Sequence, residues 1–304
     1  MEAAIVNALS PGDRVLSVSI GSFGDRFASI AETFGAEVTA LSYEWGQAAD
    51  PDEVRRALAD DGSIKAVLVT HNETSTGVTN PLEEIARAVR EAERLLIVDA
   101  VSSLGAIPVD MDGWGLDVVV TGSQKGWMAP PGLTFAAMSE RGWKANEAAT
   151  MPRFYFDLAK ARDFLKKGQT PFTPAVSIFF GLDVALERMA AEGLESIQTR
   201  HANIGRTVRE GVKALGLELL AADERYASNT VTAVRCPEGV DVADLRRTLE
   251  DEHKVVLAGG QGKLAGKIFR IGHLGLVSED DIRQALEALA EALPRVGYTI
   301  PVRQ

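Results

Sequence analysis

Residues 94–132 read RLLIVDAVSSLGAIPVDMDGWGLDVVVTGSQKGWMAPPG, and this stretch decides the fold. It opens with an apolar, β-rich run, Leu95 to Val98, that ends on the carboxylate of Asp99. A second apolar run, Leu116 to Thr121, leads into the polar turn Thr121-Gly122-Ser123-Gln124-Lys125. Short, uninterrupted apolar runs of this kind are the pattern of strands covered on both faces. Two such strands would deliver an acid and an amine to one edge of one sheet. In open α/β folds, ligands bind at the carboxyl ends of the strands.

Working outward, the same alternation continues on both sides. Arg14 to Ile20, Glu37 to Tyr43, Ile64 to Thr70 and Leu133 to Met138 read as strands, with helices over Phe27–Phe34, Asp52–Ala59 and from Asn80-Pro81 through Glu93. Asp50-Pro51 is a cap followed by proline at a first-turn position. Gly21-Ser22-Phe23-Gly24 reads as a glycine-flanked loop with an aromatic at its tip. Strand–helix alternation implies mostly parallel strands covered by helices. From about residue 145 the pattern loosens, and a helix then runs from about Val176 to Ala191. The remainder reads as a smaller α+β unit: helices over 195–215, Val242–Glu252 and Glu279–Ala292, and strands over Thr230–Arg235, Lys254–Leu257 and Lys267–Ile271. The expected division is a large domain over 1–192 and a small one over 193–304.

Composition narrows the function classes. A net charge of −11 argues against a nucleic-acid surface or an anionic membrane patch. No run approaches the roughly 18 uninterrupted apolar residues of a membrane helix. Residues 1–15, MEAAIVNALSPGDRV, lack a basic segment before their apolar residues, so they do not read as a signal peptide. A single cysteine, Cys236, excludes an internal disulfide framework and fits a reducing compartment, so the expected location is cytoplasmic. The four histidines show no ligand spacing, and no metal site is expected.

Lys125 follows an apolar strand and precedes a Pro-Pro-Gly turn with Trp127 between, in a charge-poor neighbourhood. Most lysines are solvated surface charges, whereas a desolvated one has a lowered pKa and can be a neutral nucleophile. Asp99 has two readings, a helix cap or structural hydrogen-bond acceptor, and the partner of a pyridinium nitrogen. The second, joined to a nucleophilic lysine, describes pyridoxal phosphate chemistry.

Several ordered motifs then coincide. Thr70-His-Asn-Glu-Thr-Ser-Thr-Gly77, Asp99-Ala-Val-Ser-Ser-Leu-Gly, the Ser123-Gln-Lys125 segment, Ala129-Pro-Pro-Gly and Phe269-Arg-Ile-Gly-His-Leu-Gly275 resemble class V, fold type I, pyridoxal-phosphate aminotransferases. The resemblance covers nearly the whole chain, and its nearest branch is the alanine–glyoxylate and serine–glyoxylate (serine–pyruvate) aminotransferases; the fold it implies is a large domain with a mostly parallel, seven-stranded-type sheet and a small C-terminal α+β domain. It implies that Lys125 is the Schiff-base lysine and proton carrier, and that Asp99 holds the pyridine nitrogen protonated. Phe23 matches the ring-stacking aromatic, Val101 packs on the other face, Thr74 bonds the phenolic oxygen and Gln124 contacts the phosphate. Thr173 matches a phosphate contact donated by the other subunit of a homodimer. Arg270 matches the clamp on the substrate α-carboxylate, a task that suits a planar, permanently charged fork; its competing assignment is a surface salt bridge. A small amino acid (alanine or serine) and a 2-oxo acid (glyoxylate or pyruvate) are the implied substrates.

Departures from the family pattern matter too. The Ser-Gly-Thr-like loop that cups the cofactor phosphate ahead of an Ala-Met-Glu-Ala-Ala helix has no counterpart before Met1-Glu2-Ala3-Ala4, so the sequence reads as one that starts late. Gln124 stands where cysteine desulfurases usually have histidine, and Cys236 lies in no catalytic context, which weakens that sister reading. Open alternatives are another class V activity (an aminoethylphosphonate-type transaminase or a lyase) and a cofactor-poor remnant with a binding role. Gly260-Gln-Gly262 with Gly266 loosely resembles a dinucleotide fingerprint, but no strand-to-helix crossover follows, and a hairpin turn is expected.

Overall fold

A computed structural model describes residues 1–301. Eight strands belong to the first two-thirds of the chain: β1 Arg14–Ser19, β2 Glu37–Ser42, β3 Ala66–Thr70, β4 Asn72–Glu73, β5 Val78–Thr79, β6 Leu95–Asp99, β7 Val118–Gly122 and β8 Thr134–Met138. Six of them form one sheet in the order β2-β1-β3-β6-β7-β8, all parallel except β8, while β4 and β5 make a small antiparallel ribbon. The parallel sheet is as expected, but the strands number six rather than seven. β8 is an edge strand with largely exposed or half-buried side chains.

Alternation of side chains along the strands sorts them into two cores. Leu16, Val18, Val67, Val69, Leu96 and Val98 pack beneath Val54, Leu58, Leu82, Ile85 and Val89 of the helices Pro51–Asp60 and Leu82–Glu91. Val15, Leu68, Ile97, Val118 and Val120 pack on the opposite face against Ile5, Phe27 and Ala31 of the helices Glu2–Val6 and Ser22–Thr33. The result is a helix–sheet–helix sandwich, and burial on both faces is why these strands read as continuous apolar runs.

The second unit has three antiparallel strands, β9 Val231–Arg235, β10 Ala258–Gly259 and β11 Ile268–Gly272, in the order β10-β11-β9. One face of this sheet carries Val234, Phe269 and Ile271 against Ile204, Val208, Leu245, Leu249, Ile282 and Leu289 from three helices. The other face carries Ala233 and Ile268 with Leu220 and Leu264, and Trp45 of the first unit packs there. Arg270 lies between Phe269 and Ile271, so the period-two rule sends it away from the helices and toward the first unit.

Two expectations fail locally. The strand over Lys254–Leu257 is absent; Lys254 takes a left-handed conformation (φ +59°) that ends the helix Val242–His253, and pairing begins only at Ala258. The helix expected from Phe27 begins at Ser22, so the supposed 21–24 loop is its N-cap and first turn.

Leu68 is fully buried in a strand with neighbours on both sides. Leu68→Ala is expected to cost about 2–5 kcal/mol, the range for buried large-to-small changes. Urea unfolding measures it, and a loss under about 1 kcal/mol would contradict the packing described.

Candidate active site

The site is assembled where β1, β3, β6 and β7 end. Thr70 and Asp99 are register partners at the ends of β3 and β6, and Asp99 pairs with Val120 of β7, five residues before Lys125. Asp99 is buried; its Oδ1 accepts from the Val101 amide at 2.9 Å and its Oδ2 from the Thr70 hydroxyl at 3.3 Å. Burial pushes its carboxyl above the ordinary range, against the pull of those donors. Lys125 is half-buried in the turn after β7; burial, reinforced by the charge of Arg270, pulls its amine below the usual lysine value, while Asp99 acts in the other direction.

Three further hydrogen bonds and a ring contact hold the lysine turn. Ser123 donates from its hydroxyl to the Pro130 carbonyl at 2.6 Å and accepts from the Leu133 amide at 3.2 Å. Trp127 donates from its indole to the Thr121 hydroxyl at 3.3 Å, with its ring 5.0 Å from that of Phe135. The Pro-Pro-Gly turn is therefore a strap that closes back on the end of β7.

Arg270 reaches this edge from the second unit. It is 7% exposed; its Nε donates to the Gly259 carbonyl and its Nη1 to the Thr74 carbonyl, both at 2.9 Å. Neither bond is to a carboxylate, so the surface salt-bridge assignment does not hold; the guanidinium is aimed by two backbone oxygens. A cavity of about 340 Å³ lies between the units, lined by Thr74, Ser102, Gln124, Lys125, Arg270 and the aliphatic side chains of Val231, Val256 and Leu274, among others. A larger groove of about 850 Å³, lined by Leu165, Phe172, Phe179 and Phe180, holds a single charged residue, Asp183, and none of the groups above.

The remaining expected residues fall as follows. Thr74 lines the cavity, and its hydroxyl donates to Ser102 at 3.0 Å. Gln124, just before Lys125, lines the cavity, whereas Val101, two residues after Asp99 and half-buried, is not among its lining residues. Phe23 lies in the first turn of the helix Ser22–Thr33, its amide bonded to Glu73 and its ring 4.7 Å from the guanidinium of Arg26. Thr173 is not brought to this cavity: it is exposed in the segment after the helix Leu158–Leu165.

Three polar residues escaped sequence reasoning. Asn72 donates to Ser102 at 2.8 Å and to Thr230 of the second unit at 3.0 Å, and Ser102 donates back to the Asn72 carbonyl. Asn72 and Ser102 sit inside motifs quoted for their neighbours, but nothing in the sequence announces a hydrogen-bond chain that reaches Thr230. His71, beside them, is wholly buried and neutral, its pKa pushed down to about 4 by desolvation.

A buried acid, a depressed lysine amine and a guanidinium aimed from the second unit fit a ring nitrogen, a carbonyl carbon and a carboxylate respectively, which is the donor set that pyridoxal phosphate and an amino acid require. Residues 1–270 match the family model Aminotransferase class-V. The soluble hydrogenase small subunit of Synechococcus sp. (strain PCC 6716) is 49% identical over 304 residues, covering 98% of this chain and 78% of that one. Serine–glyoxylate aminotransferase of Methylorubrum extorquens is 38% identical over 308 residues, covering 98% and 77%. The crystal structure of pyridoxamine–pyruvate aminotransferase from Mesorhizobium loti superposes with a TM-score of 0.94 at 36% identity, covering 98% of this chain and 77% of that one. The chain belongs to the class V aminotransferases, enzymes of fold type I that depend on pyridoxal 5′-phosphate.

The field of Arg270 at Lys125 has a measurable consequence. Cofactor capture needs the neutral amine, so its rate should rise with pH and level off below the ordinary lysine pKa. Arg270→Gln removes a charge that favours the neutral amine, so the profile should move to higher pH. Borohydride trapping of added pyridoxal phosphate on Lys125 across pH measures both; an unmoved profile would mean that the two charges do not interact.

Proposed function

We propose that this chain catalyses ping-pong transamination in which alanine or serine gives its amine to the cofactor and glyoxylate or pyruvate then collects it. The observation that carries this reading is the meeting of Lys125 and Arg270 on one small cavity with aliphatic walls, with the buried carboxylate of Asp99 close enough for its charge to act on Lys125. A cavity of this size, with Val231, Val256 and Leu274 beside Arg270, suits a short side chain.

Bound pyridoxal phosphate supplies an electron sink for the pair released when the substrate Cα–H bond breaks. In this reading Lys125 holds the cofactor covalently through its amine and, once displaced by the substrate amine, carries the proton from Cα to cofactor C4′. Its lowered pKa suits that task, because a base already neutral can accept the proton. Asp99 would pair with the pyridine nitrogen and keep it protonated, a cation that would offset the upward push of burial on its carboxyl. Arg270 holds the α-carboxylate with the guanidinium edge not tied to Gly259 and Thr74. By the family pattern Phe23 and Val101 would cover the two faces of the ring, Thr74 would bond the phenolic oxygen and Gln124 would contact the phosphate.

The reading extends to assembly: a large domain over 1–192, a small one over 193–304, and a cytoplasmic homodimer in which Thr173 of one copy reaches the phosphate of the other. What supports the dimer is an exposed aromatic surface around Thr173. Phe154, Tyr155 and Phe180 are 65%, 71% and 70% exposed, and Phe172 packs on Tyr155 at 4.5 Å between centroids. Patches of this kind mark interfaces. Among the described residues no helix is long and apolar enough to cross a membrane.

The deciding experiment adds pyridoxal phosphate to the purified chain and follows absorbance as L-alanine or L-serine is supplied. Bleaching with release of pyruvate or hydroxypyruvate, and recovery with glyoxylate, is expected. Lys125→Ala should abolish trapping, and Asp99→Asn should slow the half-reaction by about 10²-fold or more, the scale of a displaced proton-transfer partner. Keto acid released without an aminated cofactor would favour a lyase, and no adduct at all would sink the enzymatic reading. For the assembly, sedimentation should give a dimer that Phe180→Glu weakens; a monomeric wild type would remove Thr173 from the site.

A further inference from the structure

Glu73 has no part in the reaction described above, yet it is the most completely buried charged side chain beside the site, at 0% exposure. Burying a carboxylate costs several kcal/mol unless hydrogen bonds replace the lost water. Here four donors do so: the amides of Phe23 and Gly24 reach Oε2 at 3.0 and 3.1 Å, and the amide and hydroxyl of Ser75 reach Oε1 at 3.0 and 2.6 Å. The Ser75 hydroxyl also accepts from the Ser22 amide at 3.0 Å. All three opening amides of the helix Ser22–Thr33 are thus satisfied by a loop some fifty residues away.

A helix normally finds this cap in its own N-cap side chain. Position 21 is glycine and offers none. The reason is spatial: a Cβ on Gly21 would lie 2.4 Å from Glu73 Cγ and 2.5 Å from Ser75 Oγ. The glycine yields its place to a cap delivered from the β4–β5 ribbon. A local serine at an N-cap can meet such amides without burying a charge. What the long-range cap adds is a rigid link between Phe23, in the turn being capped, and Thr74, next to Glu73 in the chain and on the cavity wall. Glu73 also acts on Arg270, opposing the effect of burial on the guanidinium, and Arg270 leans on the Thr74 carbonyl.

We propose that Glu73 is a positioning residue of this site: by capping the helix Ser22–Thr33 from the β4–β5 ribbon it sets the ring of Phe23 and the hydroxyl of Thr74 at a fixed separation, the one that the cofactor ring must fill. The proposal rests on the transamination reading for what is positioned, but not for the positioning itself.

The test uses the full chain with Glu73→Ala, the near-isosteric Glu73→Gln and Gly21→Ala, which displaces the carboxylate from the opposite side. Amide exchange followed by mass spectrometry on the protein without added cofactor should accelerate roughly tenfold over residues 22–25 in Glu73→Ala and Gly21→Ala, the scale expected for a lost cap. Exchange in β3 should stay within about twofold. Glu73→Gln keeps a carbonyl for the Phe23 and Gly24 amides and should fall between. With pyridoxal phosphate present, affinity should fall and the visible circular dichroism of the bound cofactor should weaken in the same order, with partial rescue by glutamine. Unchanged exchange over 22–25 would overturn the proposal, as would accelerated exchange with unaltered cofactor affinity and dichroism. If Glu73→Ala does not fold, the glutamine and Gly21 variants decide. A wild-type chain that binds no cofactor would fail the functional reading, and the exchange data would then decide on Glu73 alone.

Discussion

The guanidinium of Arg270 resting on the Thr74 carbonyl is the contact on which the geometry of the site depends, because it joins two sheets that have separate cores. Its neighbours strengthen the seam: Asn72 donates across it to Thr230, and the Ser228 amide donates to the Gly77 carbonyl. Gly77 is left-handed (φ +68°) and a Cβ there would lie 2.9 Å from the Ala233 amide nitrogen, so no other residue lets the strands approach this closely. A seam made of backbone oxygens fixes a cation without neutralising it. Arg270 therefore keeps its charge available while its direction is set.

The site concentrates ionisable groups in a place where water is scarce: Asp99 and Glu73 on one side, Lys125 and Arg270 on the other. Each is held differently. Glu73 is saturated with donors and Arg270 is tied to carbonyls. Asp99 has two protein donors, and Lys125 has no carboxylate within salt-bridge distance among the described residues. Polar groups left incompletely paired in a dry site cost stability, and that cost falls here on the two groups that a cofactor would engage. The two saturated groups shape the site, and the two unsaturated ones are free to react.

Much of this was legible in the sequence because burial on both faces leaves a plain signature. The runs ending at Thr70, Asp99 and Thr121 read as strands because nothing polar interrupts them, and the order of strands and helices then implied a parallel sheet with Asp99 and Lys125 on one edge. Arg270 was named through the motif Phe269-Arg-Ile-Gly-His-Leu-Gly275, and the strand's alternation then places it on the face opposite Phe269 and Ile271. What was not legible is what distance in sequence conceals. The helix Ser22–Thr33 looked like a loop at its start because its cap is Glu73 and Ser75 rather than residue 21, and local capping rules cannot see that far. The 254–257 strand failed for a different reason: Val255 and Val256 suggest a strand by composition, but the left-handed Lys254 turns the chain before pairing can begin. A seventh strand was an expectation of family pattern and not of any residue.

A helix capped from fifty residues away also carries a consequence for the order in which the chain folds. An isolated helix of twelve residues is marginal in water, more so with its opening amides unsatisfied. Its first turn must therefore wait for the loop after β3 to be in place, and closing that loop carries an entropic cost before any bond is gained. The Phe23 turn then belongs to a late step, one completed when β3 has already docked beside β1. Secondary structure at this point is a product of tertiary structure, and the first turn of the helix should be lost early, ahead of the buried strands, when the protein is pushed toward unfolding.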